Sequence, residues 1–100
     1  MIRILWSFRV EADREPEFVR IYGPEGDWAR LFGQAPGYRG TKLLREPSGS
    51  RKYLTQDSWE SAEELDRFMA EHRLEYDGLD ALCQSLTVDE CLIGIFEDPG

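Results

Sequence analysis

The stretch Asp57-Ser58-Trp59-Glu60-Ser61-Ala62-Glu63-Glu64 joins two kinds of order with almost no loop between them. Upstream, Tyr53-Leu54-Thr55-Gln56-Asp57-Ser58-Trp59 reads as an alternating strand. Downstream, Ser61 and Glu64 have the serine-x-x-glutamate spacing of a capping box. In that device the hydroxyl accepts one orphan backbone N–H and the carboxylate reaches back to another. The junction therefore sets the entry angle of a helix and puts Trp59 at the strand end beside it. Leu65, Phe68 and Met69 then recur on the buried side, with Glu63, Glu64, Asp66 and Arg67 on the exposed side.

Working outward, Ile2, Ile4, Trp6, Phe8 and Val10 alternate with Arg3, Leu5, Ser7 and Arg9, which predicts a first strand with one deeply buried face. Asp13 and Glu15 precede Pro16, a residue tolerated in a helix's first turn. Phe18, Ile21 and Tyr22 follow at helical spacing. Gly23-Pro24-Glu25-Gly26 must break or kink that helix, because proline lacks the N–H and clashes with the preceding turn. A second helical stretch carries Trp28, Leu31 and Phe32. In the turn Ala35-Pro36-Gly37-Tyr38, Pro36 presets φ and Gly37 is free to take a positive value. Gly40 to Glu46 forms the second strand, and Pro47-Ser48-Gly49-Ser50 is a hairpin-length loop to the third. Leu79, Leu82, Cys83 and Leu86 mark another helical segment before a last strand from Val88 to Phe96.

Strand–helix–strand–strand–helix–strand is the order of a ferredoxin-like unit, α+β in class, with helices over one face of a four-stranded antiparallel sheet. One hundred residues make a single domain, residues 1–100. The last strand carries Cys91, Ile93 and Ile95 on one side and Leu92 and Phe96 on the other; Leu43 and Leu44 also project oppositely. Both sheet faces are therefore partly apolar, which predicts a homodimer through the face that the helices leave bare.

Twelve basic against twenty acidic residues give a net charge of −8. Such a surface repels phosphate backbones and anionic lipid, so nucleic-acid and membrane partners are disfavoured. No apolar run approaches the ~20 residues needed to span a bilayer. Met1 to Trp6 reads as the start of a strand, not as a signal peptide, and the expected location is cytoplasmic. Cys83 and Cys91 lie among apolar neighbours and are expected to be buried, reduced and inert. With His72 the single histidine, no metal-ligand spacing is present.

Read together, Trp6-Ser7-Phe8-Arg9-Val10, Phe18, the stretch from Gly26 to Phe32, Pro36-Gly37-Tyr38, Asp57-Ser58-Trp59-Glu60-Ser61, Phe68 and Gly94-Ile95-Phe96 resemble the antibiotic biosynthesis monooxygenase family, within the dimeric α+β barrel superfamily. The resemblance covers nearly the whole chain. It implies a cofactor-free monooxygenase acting on a small planar aromatic substrate in a pocket between helices and sheet. A related branch of the superfamily degrades haem. In the family a tryptophan at the strand–helix junction borders the pocket, which carries that role onto Trp59. Polyketide oxygenases of the family also place an asparagine before this tryptophan; the nearest residue here is Thr55.

The chemistry implied by the resemblance needs no metal or other cofactor. An electron-rich aromatic, once deprotonated in a dry site, can itself pass an electron to oxygen, so the protein supplies shape, dryness and a polar group or two. Trp6, Phe8, Trp28 and Trp59 would supply the walls, with Tyr76 at the rim as a hydrogen-bond donor. His72, whose side chain titrates near neutrality, is the candidate for proton transfer. The same residues also fit plainer roles: core packing for the aromatic groups and a solvated helix end for His72. A non-catalytic binding or dimerisation module with the same apolar pocket is the alternative reading, and haem degradation a third.

Overall fold

The computed structural model describes residues 1–100, in the order β1 (Ile2–Val10), α1 (Glu15–Tyr22), α2 (Asp27–Phe32), β2 (Tyr38–Arg45), β3 (Lys52–Trp59), α3 (Ala62–Glu71), α4 (Arg73–Cys83), a 3-10 turn (Gln84–Leu86) and β4 (Thr87–Glu97). The sheet runs β2-β3-β1-β4, with every neighbouring pair antiparallel. This is the ferredoxin-like α+β architecture, with each crossover helix split in two. No helix is long and apolar enough to cross a membrane.

The first split falls where the proline-containing stretch demanded it. Gly23 ends α1 and Gly26 opens α2. A Cβ on Gly26 would lie 2.3 Å from the Ile21 carbonyl oxygen, so only glycine lets the chain fold back this tightly. That turn aims Trp28 and Phe32 back under the sheet. The second split lies at His72, whose φ of −123° interrupts the helix before α4.

The strand–helix junction closes with half of the expected capping box. Ser61 Oγ accepts from the Glu64 N–H at 3.3 Å. The Glu64 carboxylate does not reach back; Oε1 accepts from Arg67, and Oε2 is buried with no partner. Packing explains this, because the Glu64 side chain lies against Gly37, where an added Cβ would come within 2.4 Å of it. Gly37 is thus required for close approach, not for a positive φ; in the β2 region the positive φ falls at Gly40, beside the bulge between Tyr38 and Gly40.

The core lies between helices and sheet and is largely aromatic. Phe18 stacks on Tyr22 at 4.2 Å and meets Phe8 edge-on at 5.3 Å. Phe32 meets Trp59 and Phe68 edge-on at 5.7 and 5.4 Å. Such offset and edge-on pairs add to the energy of burial itself.

Two readings of β4 change. A bulge pairs Leu5 with Gly94 but Trp6 with Leu92, leaving Ile93 as the extra residue. The insertion flips parity, so Leu92 and Ile95 share the helix-side face with Trp6 and Ile4, while Cys91 and Phe96 face away beside Ser7 and Arg3. Cys91 is consequently exposed, whereas Cys83 is buried as expected. The outward face holds Leu44, Leu54 and Ile93 along a shallow, solvent-open groove.

Candidate active site

Three rows of side chains cross the helix-covered face. By register, Thr41, Asp57 and Ile4 form one row, Leu43, Thr55 and Trp6 the next, and Tyr53, Phe8 and Glu90 a third. Helix α2 brings Trp28 and Phe32 over them. Helix α4 contributes Tyr76 and Asp80, four residues apart and therefore on one helix face. Tyr76 packs edge-on against Trp28 at 5.0 Å. Together these elements enclose a cleft of about 480 Å³, including its open mouth. Its walls are Trp6, Phe8, Tyr22, Trp28 and Phe32, and its polar groups are Thr41, Thr55, Asp57, Tyr76, Asp80 and Glu90.

Asp57 is the unusual member of this set. It lies on a strand one removed from the sheet edge and is only 9% exposed, inside an aromatic enclosure. Burial raises its carboxyl to about 6, against the opposing effect of a hydrogen bond donated by Thr41 Oγ1 at 2.6 Å. Thr41 in turn shares a short hydrogen bond with the Tyr38 hydroxyl, so a chain Tyr38–Thr41–Asp57 runs along the strands. Burial first, and then the carboxylates Asp80, Asp57 and Glu90, raise the Tyr76 hydroxyl above its ordinary value. Burial likewise raises the Tyr22 hydroxyl.

A carboxylate on the edge of neutrality in a cleft walled by aromatic side chains is suited to removing a proton from a weakly acidic carbon or phenol. At neutral pH most of it is ionised and ready to accept, yet it is a stronger base than an exposed aspartate. No group of three His, Cys, Asp or Glu side chains converges closely enough to hold a metal ion.

The sequence profile of antibiotic biosynthesis monooxygenases matches residues 1–73. The chain belongs to the antibiotic biosynthesis monooxygenase family. Solved structures with this fold agree. A point mutant of SnoaB, a cofactor-independent oxygenase from Streptomyces nogalater, superposes with a TM-score of 0.73 at 20% identity, covering 99% of this chain and 93% of that one. PA3566 from Pseudomonas aeruginosa gives 0.68 at 12% identity, with 99% and 94% covered. A mutant of MhuD with two manganese protoporphyrin IX molecules bound per active site gives 0.69 at 20% identity, with 99% and 95% covered. At these identities the likeness is one of fold. No protein of curated function matches the chain.

Within this member of the family, the sequence-derived residues separate into two groups. Trp6, Phe8, Trp28 and Tyr76 line the cleft together. Trp59 does not: it is fully buried one layer behind, with its ring against Phe32, Tyr38 and Phe68. It shapes the cleft through Phe32, which lines it. His72 also lies outside. Its Nδ1 is 2.8 Å from a Glu75 carboxylate oxygen, and its ring stacks on Phe68 at 5.0 Å. The helix break at His72 turns α4 toward the cleft, so the groups that arrive there are Tyr76 and Asp80, one and two turns further on.

Asp57, Thr41, Asp80 and Glu90 were not identified from sequence as site residues. For Asp57 the signal was present: Tyr53, Thr55, Asp57 and Trp59 share one parity, so a carboxylate stands on the strand face that also buries a tyrosine and a tryptophan. For Asp80 and Glu90 no such signal exists, because Asp80 among Leu79, Ala81 and Leu82 and Glu90 between Asp89 and Cys91 reach the cleft only through the packing of α4 and β4.

Proposed function

We propose that the protein is a cofactor-independent monooxygenase acting on a small, planar, electron-rich aromatic substrate bound in the cleft, with Asp57 as the general base. The observation that carries this reading is the Asp57 carboxyl, raised to about 6 inside an aromatic enclosure. Membership in the family supports it. This reading moves the proton-accepting role from His72, which is outside the cleft, to Asp57.

The substrate class is one whose ring-bound CH2 or phenolic hydrogen is acidic, as in anthrones and quinols. Asp57 takes that proton, and Thr41 steadies the resulting arrangement from the far side of the carboxyl. The anion then gives one electron to dioxygen, and the substrate radical and superoxide couple to a hydroperoxide. Loss of water leaves a carbonyl where the CH2 stood, so one dioxygen is consumed and one water released per substrate. Walls of Trp6, Phe8, Trp28 and Phe32 keep water from quenching the anion, and the Tyr76 hydroxyl can donate to a substrate oxygen.

The test is oxygen uptake with a panel of anthrones and quinols, using wild type and Asp57→Asn. The reading predicts uptake coupled one-to-one to product and lost in the variant. Tight binding of the panel without uptake by wild type would instead assign a binding module of the same fold.

The assembly proposed with this activity is a homodimer through the outward sheet face, as in a dimeric α+β barrel. Leu44, Ile93 and Phe96, each about half exposed, support it as an apolar surface that lacks helical cover. Sedimentation of a Leu44→Lys/Ile93→Lys variant should give monomer where wild type gives dimer.

A further inference from the structure

We propose that Tyr38 is a positioning residue for the base: its hydroxyl aims the Thr41 hydroxyl at the Asp57 carboxylate. The inference rests on reading Asp57 as the proton acceptor of the cleft and adds what holds that acceptor in order.

Tyr38 reaches Thr41 only because β2 is irregular. Residues three apart on a regular strand point to opposite faces. In an unbroken ladder Trp59 would stand opposite Arg39, since Ser58 pairs with Gly40 and Asp57 with Thr41. Trp59 stands opposite Tyr38 instead, so Arg39 is the extra residue of the bulge. That insertion shifts Tyr38 onto the helix-covered face, in line with Thr41. Gly40, at a φ of 118°, supplies a backbone conformation that other residues rarely adopt. Arg39 fastens the bulge from outside, its guanidinium donating to the Pro36 carbonyl at 2.8 Å and to the Glu60 carboxylate. Inside, the Tyr38 ring packs against Phe32 at 5.6 Å and Trp59 at 5.5 Å. Trp59, set behind the cleft wall, thus bears on the base through the ring of Tyr38.

The direction of each hydrogen bond follows from the groups that make it. An ionised carboxylate can only accept, and a threonine hydroxyl has one proton. Thr41 Oγ1 gives that proton to Asp57 Oδ1 at 2.6 Å. In its bond with Tyr38 it must therefore accept, and the tyrosine hydroxyl donates. Burial raises the Tyr38 hydroxyl above its ordinary value, so it stays protonated, and a donor, where Asp57 titrates. With Tyr38 donating, the Thr41 rotor has one satisfied orientation, the one aimed at Asp57. Donation into Thr41 also polarises the bond that Thr41 makes in turn. Both effects favour the ionised base.

Tyr38→Phe removes the hydroxyl and keeps the ring. The measurement is the titration midpoint of the Asp57 carboxyl carbon by NMR, in wild type, Tyr38→Phe, Thr41→Val and the double variant. Tyr38→Phe should raise the midpoint by about half a unit, roughly a threefold change in the acid dissociation constant. In the Thr41→Val background the same substitution should move it by less than about 0.2 units, because the link between the two groups is gone. In a Thr41→Ser background, which keeps the hydroxyl, the half-unit shift should persist. A Tyr38→Phe midpoint equal to that of wild type overturns the proposal and leaves Asp57 as the base. So does a shift of the same size with and without the Thr41 hydroxyl, since Tyr38 would then act by another route. A wild-type midpoint near the ordinary aspartate value of about 4 removes the raised base, and this proposal with it.

Discussion

Asp57 sits within strand β3 and His72 at the break between α3 and α4, and each is a titratable group within reach of the aromatic core. Their surroundings differ in kind. Asp57 is on β3, sealed under helices, with a single hydrogen bond from Thr41 and a carboxyl raised to about 6. His72 lies between α3 and α4, its side chain 22% exposed, held by Glu75 and flat against Phe68. The intrinsic pKa of the residue type favours the histidine as a proton acceptor. Position outweighs that preference: desolvation brings an ordinary carboxylate toward the neutral range inside the cleft, and the fold keeps the histidine out of it.

The largest effect that would sharpen this contrast is catalytic. Asp57→Asn should lower kcat on an anthrone by about 10²–10⁴-fold, the usual contribution of a positioned general base. Measured by oxygen electrode, a loss of less than tenfold would return the role to another group. Next in size is Trp59→Ala, which should destabilise the fold by about 3–5 kcal/mol in urea unfolding, as for a fully buried aromatic truncated in place. Unchanged stability would break the assignment of Trp59 to the layer behind the cleft.

Asp57 also makes a stability prediction. A folded pKa raised from 3.8 to about 6 means the native state holds this proton more tightly than the unfolded chain does. Its stabilising contribution is therefore full below the unfolded value and is lost as pH rises through about 6, a change on the order of 3 kcal/mol. Asp57→Asn cannot ionise, so it should be more stable than wild type at alkaline pH and gain little under acid conditions. Thermal unfolding across that range measures it, and a pH-independent difference would contradict it.

Smaller still, Thr41→Val removes the hydrogen bond that favours the ionised form. The acid limb of the rate profile should move up by about one unit, the worth of a charge-assisted bond. A limb that stays in place would detach Thr41 from Asp57. The smallest effect belongs to the helix break: His72→Ala should change kcat/KM by less than about threefold. A loss comparable to that of Asp57→Asn would invert the contrast.

The architecture was readable because period-two and helical repeats report burial directly. Ile2 through Val10, the proline break after Tyr22, and Ser61 ahead of Phe68 each mark an element edge by local chemistry. The bulge at Ile93 was not readable, because one extra residue in a strand leaves no local trace yet reverses every side chain beyond it. The cleft was legible only in part. Trp6, Phe8, Trp28 and Tyr76 stand out as aromatic groups on buried faces, and they meet in space. Trp59 has the same credentials, and only the position of Phe32 in front of it decides that it is wall backing and not wall. Asp57 was hidden in plain alternation. Asp80 and Glu90 depend on how α4 and β4 pack, which no short-range pattern records.

The most direct test is the titration of the Asp57 carboxyl carbon by NMR, with Asp57→Asn to assign the resonance. A midpoint near 6 is the predicted result. A midpoint near the ordinary aspartate value of about 4 would mean that the group is solvated, and that the cleft is neither dry nor equipped with a base.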